Sequence, residues 1–417
     1  MMIKVTRLCM LFLVACVAGG CAGFGSVQRQ PNVVIILTDD QGTLDVNCYG
    51  SLDLYTPNMD RLAKEGVRFT QAYAHTVCCP TRAALLTGRH PQRGGVSQWT
   101  QNSMKGDFGV NMSLNEVTLA EVLRDNGYRT ALFGKWHLGA AETHGPTRQG
   151  FETFFGHRGG FIDNYNHHFL HGTGFHDLYE GTTEVFQRGE YFPDLITSRA
   201  LDYIEVNQDE PFFLYFAMNT PHYPEQADSK FDERYKDMPM PRRSYAKMVS
   251  TTDDRIGQLL DKLDELGLTE NTIVVFMSDN GHSTEDNAGI RFDDHASGLP
   301  KHHYYLAHGG GGNTGKWRGA KNTYYEGGLR VPAIIRYPQK ISRGLVRDQA
   351  ITAMDVFPTI LDWSGVPVPE AADLDGHSLD DVIDQNTESK HDVLHWAWRT
   401  GWAVRRGDWK LIKPLRS

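Results

Sequence analysis

The chain has 417 residues and a formal net charge of −9, from 42 Lys and Arg against 51 Asp and Glu. This length suits one large domain and a smaller one, since single hydrophobic cores stop growing at roughly 250–300 residues. The negative charge, without any basic run interleaved with aromatic residues, excludes nucleic acid as an expected partner but leaves small anionic substrates open.

Residues 1–25 have the pattern of a secretory signal. Lys4 and Arg7 precede an apolar run that is too short to span a bilayer, and small residues follow it. Cys16 and Cys21 each end a stretch similar to a bacterial lipoprotein cleavage site, so a lipid anchor and cleavage without lipid both stay open. We expect an exported protein, either a periplasmic or outer-membrane lipoprotein or a secreted one, without a membrane-spanning helix.

The first strand is predicted over residues 32–37, an apolar, β-branched run that Asp39 and Asp40 follow. Outside the signal segment the cysteines are Cys48, Cys78 and Cys79. Three cysteines, two of them adjacent, do not form a disulfide framework, although disulfides would be possible in an exported protein.

The most specific pattern is Cys-x-Pro-x-Arg at residues 78–82, which chance would give in on the order of one chain in a hundred. Pro80 suits the first position of a helix and Gly88 its exit, so we expect Cys78 at the helix N-terminus and Arg82 about one turn inside. Unpaired backbone N–H groups, the helix dipole and a guanidinium would then face an anion.

A helix is predicted next, because Thr118 and Glu121 form a capping box and Gly127 closes the segment. The strand predicted at 128–133 follows, and Lys135 and His137 come after it. Five histidines then occur without the spacing of metal ligands, and we expect a polar loop facing the substrate. They are His157, His167, His168, His171 and His176.

Strands at 212–218 and 272–277 flank a helix that starts near residue 244 and ends at Gly267. The polar residues after these two strands are His222, Asp279 and Asn280. Open α/β sheets bind ligands beyond the carboxyl ends of their strands, so we expect the residues after all four strands to meet in one pocket.

The last third of the chain begins with a His- and Gly-rich segment, 287–321, which we expect to form a rim over the pocket. A helix at 355–363 and short strand-like pieces at 395–412 follow. The predicted fold class is α/β, with a large mixed, mostly parallel sheet sandwiched by helices and a small C-terminal antiparallel subdomain. The expected domain bounds are 30–370 and 371–417.

Residues 78–89 resemble the signature of type I, arylsulfatase-like sulfatases of the alkaline phosphatase superfamily, and the similarity runs in the family's order from Pro31 to about Pro332. The resemblance implies an alkaline phosphatase-like fold. It also implies that a formylglycine-generating enzyme oxidises Cys78 to 3-oxoalanine (Cα-formylglycine). One hydroxyl of the aldehyde hydrate would attack sulfur and release the alcohol, and the other would eliminate sulfate. A serine or cysteine would instead keep a stable sulfate ester or thiosulfate.

The resemblance further implies one Ca²⁺ per chain. Its ligands would be Asp39, Asp40, Asp279, Asn280 and the modified Cys78. Hard oxygen donors suit calcium or magnesium better than zinc.

The same resemblance assigns six catalytic residues, which are Cys78, Arg82, Lys135, His137, His222 and Lys321. Arg82, Lys135 and Lys321 would offset charge on the sulfate oxygens. His137 would orient and deprotonate the second hydroxyl, and either His222 or Lys321 would protonate the leaving alcohol.

The implied activity is hydrolysis of sulfate esters, with a sulfated saccharide or an aryl sulfate as substrate. Two alternatives stay open: a phosphodiester or phosphonate monoester hydrolase on the same fold, and a non-catalytic sugar-binding homologue with unmodified Cys78. Candidate sugar contacts at the rim are Trp99, His168 and Trp317. Family members continue past the strand at 408–412, whereas this chain stops at Ser417, so we expect an incomplete C-terminal subdomain.

Overall fold

The computed structural model describes residues 29–100, 110–169, 175–286 and 307–415. The predicted signal, with Cys16 and Cys21, lies outside these residues, as does the first part of the predicted rim. Within the described ranges, no helix has both the length and the apolar character needed to cross a bilayer.

A ten-stranded sheet organises the chain, in the order β12-β2-β11-β10-β1-β9-β3-β4-β7-β8. The strands are β1 Asn32–Asp39, β2 Val67–Tyr73, β3 Arg129–Lys135, β4 Thr153–His157, β5 His168–Phe169, β6 Phe175–His176, β7 Tyr179–Glu180, β8 Thr183–Glu184, β9 Phe212–Pro221, β10 Thr272–Ser278, β11 Arg330–Arg336, β12 Leu345–Thr352, β13 Leu394–Trp398, β14 Gly401–Arg406 and β15 Trp409–Lys413. Strands β10, β1, β9, β3 and β4 are parallel, and β11 and β7 run antiparallel beside them. This confirms the predicted mixed, mostly parallel sheet.

Helices cover both faces of the sheet. They are α1 Pro57–Glu65, α2 Cys78–Thr87, α3 Leu119–Asp125, α4 Phe192–Val206, α5 Asp232–Tyr235, α6 Arg242–Glu265, α7 Glu326–Leu329, α8 Val356–Ser364 and α9 Asp380–Gln385. The predicted capping box is present at α3, where Thr118 Oγ1 accepts from the Glu121 backbone N–H and the Glu121 carboxylate accepts from that of Thr118. Gly88 ends α2 with a φ of 64°, a left-handed conformation that favours glycine.

Two hydrophobic cores lie on opposite faces of the sheet, because successive side chains of a strand point to opposite sides. In β1, Val33, Ile35 and Leu37 belong to one core, and Val34 and Ile36 belong to the other. Residues of α2, α3 and α8 fill the first core, and residues of α1, α4 and α6 fill the second. Each fully buried aliphatic side chain contributes about 1.5–3 kcal/mol, so these layers hold the strand ends in place.

The C-terminal strands β13, β14 and β15 form a separate three-stranded antiparallel sheet, as predicted. Its Trp396 and Trp398 are buried in the same core as α2. The Trp396 indole N–H donates to the Ala74 carbonyl at 2.9 Å, just ahead of α2. The C-terminal sheet therefore braces the helix that carries Cys78, while the proposed domain boundary at residue 370 stays a prediction.

Helix α2 begins earlier than the position of Pro80 suggested. Cys78 is its first residue and Val77 its N-cap, so Pro80 is the third helical residue. Proline is tolerated there because the first backbone N–H groups of a helix have no intrahelical partner.

The predicted histidine loop is wrong in part. His157 ends strand β4 and is fully buried, because Phe154 and Phe155 draw this short run into the sheet. His167 is buried and its Nε2 lies 3.1 Å from the Glu190 carbonyl. His168 and His176 pair across the small β5–β6 ribbon, and His171 lies outside the described residues.

Candidate active site

The polar residues predicted to follow four strands do meet at one edge of the sheet. Asp39 ends β1 and Lys135 ends β3, while His222 and Asp279 directly follow β9 and β10. These strands are parallel, so their carboxyl ends share an edge. Strand β2 is antiparallel to β11, which is itself antiparallel to β10, so β2 runs in the same direction as β10 and ends at the same edge. Helix α2 starts soon after β2, with Cys78 as its first residue.

A compact acidic cluster forms the base of the site. One ligand atom from each of Asp39, Asp40, Cys78 and Asp279 lies within 4.8 Å of the others, and all four residues are buried. Cys78 Sγ is 3.2 Å from Asp39 Oδ1. Asn280 donates its Nδ2 to Asp40 Oδ1 at 2.6 Å, whereas its own Oδ1 is buried without a hydrogen-bond partner. An unmet acceptor among buried carboxylates is an environment that favours a cation.

Each of the three carboxylates already contacts a buried cationic side chain. Arg82 donates from Nε and Nη2 to Asp279 Oδ2, at 3.1 and 2.8 Å. Lys135 Nζ lies 2.5 Å from Asp39 Oδ2, and Lys321 Nζ lies 2.9 Å from Asp40 Oδ2. Buried ions are stable only when they are paired in this way, so the cations have fixed positions beside Cys78.

The pKa values of the carboxylates differ because their neighbours differ. Burial opposes ionisation of Asp39, but Lys135 and then His222 and Arg82 hold its pKa well below the usual value. Burial raises the pKa of Asp40 to about 7, against the effect of Lys321, and the nearby carboxylates add to the rise. The protein's own cations therefore balance the charge of Asp40 less completely than that of Asp39.

His137 presents both ring nitrogens without a hydrogen bond in the described structure. Burial, followed by the charges of Lys135 and Arg82, lowers the pKa of His137 well below its usual value, so the ring is neutral. Its φ of 57° is rare for a residue with a side chain, and Thr100 Oγ1 donates to its carbonyl at 2.6 Å. The ring of Trp99 stacks on it with centroids 6.0 Å apart. A strained backbone held in this way is typical of functional sites.

His222 is oriented by its neighbours on both sides. Its Nδ1 lies 2.6 Å from the Tyr223 carbonyl, and its Nε2 lies 3.5 Å from Asp40 Oδ2. Burial and then Lys321 lower the pKa of His222 to about 3. A carbonyl only accepts hydrogen bonds, so the neutral ring carries its proton on Nδ1 and has a bare Nε2.

The backbone around the site is also supported by side chains. Tyr245 OH donates to the Asp40 carbonyl at 2.9 Å, where Asp40 has a φ of 66°. Thr81 Oγ1 donates to the Asp279 carbonyl at 2.5 Å. Gly134, just before Lys135, lies so close to β9 that an added Cβ would be 1.9 Å from the Ala217 carbonyl oxygen. The close approach of these strands therefore requires glycine.

Sequence reasoning missed Glu285 and placed His157 in a loop instead of a strand. Glu285 lies 3.4 Å from Lys321 Nζ and forms a second group of candidate metal ligands with Asp40 and His222. No pattern marks this glutamate, which lies in an irregular polar segment. His157 ends β4 at the same edge, and recognising 153–157 as a strand would have found it.

The three predicted rim residues separate in the structure. Trp99 lies against His137, and His168 lies in the β5–β6 ribbon. Trp317 lines a different groove, next to the C-terminal sheet. Of the predicted rim segment, 287–306 lies outside the described residues, and Lys321 at its far end reaches Asp40.

Comparison with known proteins points to one family. A family model described as Sulfatase matches residues 31–366. Arylsulfatase J of Mus musculus is 31% identical over 92% of this chain and 64% of its own length. The N-acetylgalactosamine-6-sulfatase of Rattus norvegicus is 32% identical over 92% of this chain and 71% of its own length. The solved structure of Ps i-CgsB in complex with k-i-k-neocarrahexaose is 29% identical, with a TM-score of 0.79, and the match covers 92% of this chain and 84% of that one. The chain thus spans a little under two thirds of the mouse protein.

Proposed function

Because this chain belongs to the sulfatase family, we propose that it hydrolyses sulfate esters of saccharides at the cluster around Cys78. The observation that carries the proposal is the placement of Cys78 at the start of α2, 3.2 Å from Asp39 and among buried carboxylates and cations. The named activity of the rat relative and the oligosaccharide bound to Ps i-CgsB support a saccharide substrate.

The residues of the acidic cluster fit a calcium ion. Asp39, Asp40 and Asp279 offer carboxylate oxygens, and Asn280 offers an Oδ1 that no protein donor occupies. An oxygen-rich set of this kind suits a hard cation. When bound, calcium would supply positive charge to the sulfate oxygens and to the attacking hydroxyl.

We propose that the nucleophile comes from Cys78 after its oxidation to 3-oxoalanine. The thiol itself is poorly suited to attack, because burial, Asp279 and Asp39 raise its pKa well above the usual value. The hydrated aldehyde would supply a hydroxyl for attack and a second one for release of sulfate. Position 78 also places this group at the positive end of α2, where backbone N–H groups favour an anion.

The surrounding side chains would bind the sulfate and move protons. Arg82, Lys135 and Lys321 place three cations beside the cluster, where they offset charge on sulfate oxygens. The neutral His137 has free ring nitrogens that can accept a proton from residue 78. The Nε2 of neutral His222 carries no proton to give, which supports Lys321 as the proton donor to the leaving oxygen.

We expect the calcium-loaded chain to release sulfate from an aryl sulfate and from sulfated saccharides at least about tenfold faster than it releases phosphate from matched phosphate esters. Arg82, Lys135 and Lys321 already balance three buried carboxylates, so the site suits the single negative charge of a sulfate ester better than the two negative charges of a phosphate monoester. The measurement is kcat/KM for each ester pair. A preference for phosphodiesters or phosphonates would replace the proposal with the alternative hydrolase. Saccharide binding without turnover, together with an intact Cys78 thiol by peptide mass spectrometry, would indicate the sugar-binding alternative.

Calcium is expected to raise the melting temperature of the protein. A ligand at a hundred times its Kd adds about 2.7 kcal/mol to the free energy of unfolding, which shifts Tm by several degrees. Differential scanning calorimetry with calcium or EDTA measures the shift, and Asp40→Asn should remove most of it. Asp253→Asn is the matched control, because Asp253 is also a buried carboxylate but accepts from the backbone of α1. Equal shifts in both variants would refute calcium binding at the cluster.

A further inference from the structure

We propose that a cationic groove beside the candidate active site binds a second sulfate group of a polysulfated saccharide. The groove encloses about 470 Å³ between the segment 317–330 and the C-terminal sheet. Its principal residues are Trp317, Arg318, Tyr325, Arg330, Arg405 and Lys410. That the sulfate is carried by a saccharide rests on the proposed function.

The groove is built on the same segments as the site. Arg318 lies three residues before Lys321, and its carbonyl accepts from the Gly327 backbone N–H at 2.8 Å. The Arg330 carbonyl accepts from Thr43 Oγ1 at 2.8 Å, three residues after Asp40. The groove and the candidate active site therefore share their supporting segments at this edge of the sheet, and we infer that one saccharide chain spans both.

The groove is positive although the chain as a whole carries −9. Four cationic side chains line it, against the carboxylates of Glu326 and Asp408. Arg405 is bonded to Tyr73 and Gln71, and Lys410 is bonded to Glu326. Glu326 offsets Lys410, whereas the partners of Arg405 are neutral, so the excess positive charge resides on Arg318 and Arg405 and in part on Arg330, which lies near Glu326.

Arg318 and Arg330 have donors to spare. Within the described residues neither side chain makes a hydrogen bond, and the Nε of Arg330 is buried without one. The nearest carboxylate oxygen to that Nε belongs to Glu326, at 3.6 Å. A buried donor with no acceptor is unfavourable, so the Arg330 guanidinium would gain from an incoming oxyanion.

Aromatic stacking leaves these guanidinium groups ready for an oxyanion. The central carbon of Arg330 lies 4.1 Å from the Trp317 ring centroid, and that of Arg318 lies 4.0 Å from the centroid of Tyr325. Stacking covers the face of a guanidinium but leaves its in-plane N–H groups free. Those groups match two oxygens of a sulfate. The site therefore predicts a preference for substrates that carry sulfate on more than one sugar.

The test is isothermal titration of the full, calcium-loaded chain with a dextran sulfate oligosaccharide, with unsulfated dextran of the same length as the reference ligand. Arg318→Ala should weaken binding about tenfold, as expected for loss of one charge-assisted contact. The matched control is Arg234→Ala, because Arg234 is likewise exposed and stacks on Tyr55 at 3.9 Å, away from the groove. Arg234→Ala should bind like the parent protein.

Removing a negative charge from the groove should strengthen binding, which tests the role of the positive charge independently. Asp408 is exposed and lines the groove, so Asp408→Asn removes a repulsive charge without a buried cost and should tighten binding several-fold. Equal losses in the Arg318 and Arg234 variants, or no gain in the Asp408 variant, would overturn the proposal. So would inorganic sulfate alone binding with the same variant pattern, since the ligand would then be the free anion. Titration does not depend on turnover, so a chain that fails to hydrolyse sulfate can still pass this test.

Discussion

Cys78→Ala is expected to lower kcat for sulfate release by roughly 10⁴- to 10⁶-fold, the range seen when an enzyme loses its nucleophile. Alanine leaves the carboxylates and cations of the site in place but supplies no group that can be oxidised and hydrated. Cys78 is buried, and its side chain hydrogen-bonds to Asp39, so the variant should fold with a small change in stability. The measurement is single-turnover sulfate release from an aryl sulfate, alongside circular dichroism.

Cys79→Ala is the matched control, because the neighbouring cysteine is equally buried but its thiol lies near the Gln98 carbonyl, at 3.9 Å, and hydrogen-bonds with Thr100 instead of contacting the acidic cluster. We expect this variant to retain most of the parent's activity. Cys78→Ser should attack once and then keep the sulfate as a stable ester, visible as an added SO₃ group in the mass of the peptide. Full multiple-turnover activity in Cys78→Ala would refute the role assigned to this residue.

The sequence predicted the acidic cluster because the strand pattern and the parallel topology leave few possible positions for its carboxylates. An apolar run followed by Asp39, or by Asp279, must be a buried strand with its carboxylate at the tip. Parallel strands then bring such tips together. The same reasoning placed Lys135 and His222 correctly.

Other parts of the site depend on contacts that local patterns do not carry. Glu285 reaches Lys321 from an irregular segment, and no periodicity marks it. The groove needs Arg318 to meet Lys410, and residues so far apart in sequence are brought together only by the packing of the C-terminal sheet on the core. The place of Cys78 at the N-terminus of α2 was predicted, but Pro80 as its third residue was not, since proline is accepted at several positions of a first turn.

Burying the charged side chains of the site opposes folding. Desolvation opposes every buried ion, and a pair is retained only when each partner stays matched. Asp279 shows this clearly, because burial and then Asp39 raise its pKa while Arg82 acts in the opposite direction. The cations therefore offset the cost of burying the carboxylates, and under the proposed function they also hold positive charge where a sulfate would bind.

Arg82→Met is expected to lower the free energy of unfolding by about 3–5 kcal/mol in calcium-free buffer, because it leaves Asp279 buried and unpaired. Arg82 is fully buried and also donates from Nη1 to the Lys135 carbonyl at 2.9 Å. Urea denaturation measures the loss. Arg93→Met, which removes partly exposed pairs with Asp373 and Asp375, is the control and should cost no more than about 1 kcal/mol.

A second substitution separates the unpaired charge from the lost packing. Asp279→Asn in the Arg82→Met background removes the buried charge, so the double variant should recover part of the stability, as coupled neighbours do. Calcium should also reduce the cost of Arg82→Met, since the ion would supply charge to the same carboxylate, but it should have no such effect on Arg93→Met. If Arg82→Met and Arg93→Met cost the same, Asp279 is not held as a buried ion, and the electrostatic basis of the proposed site is wrong.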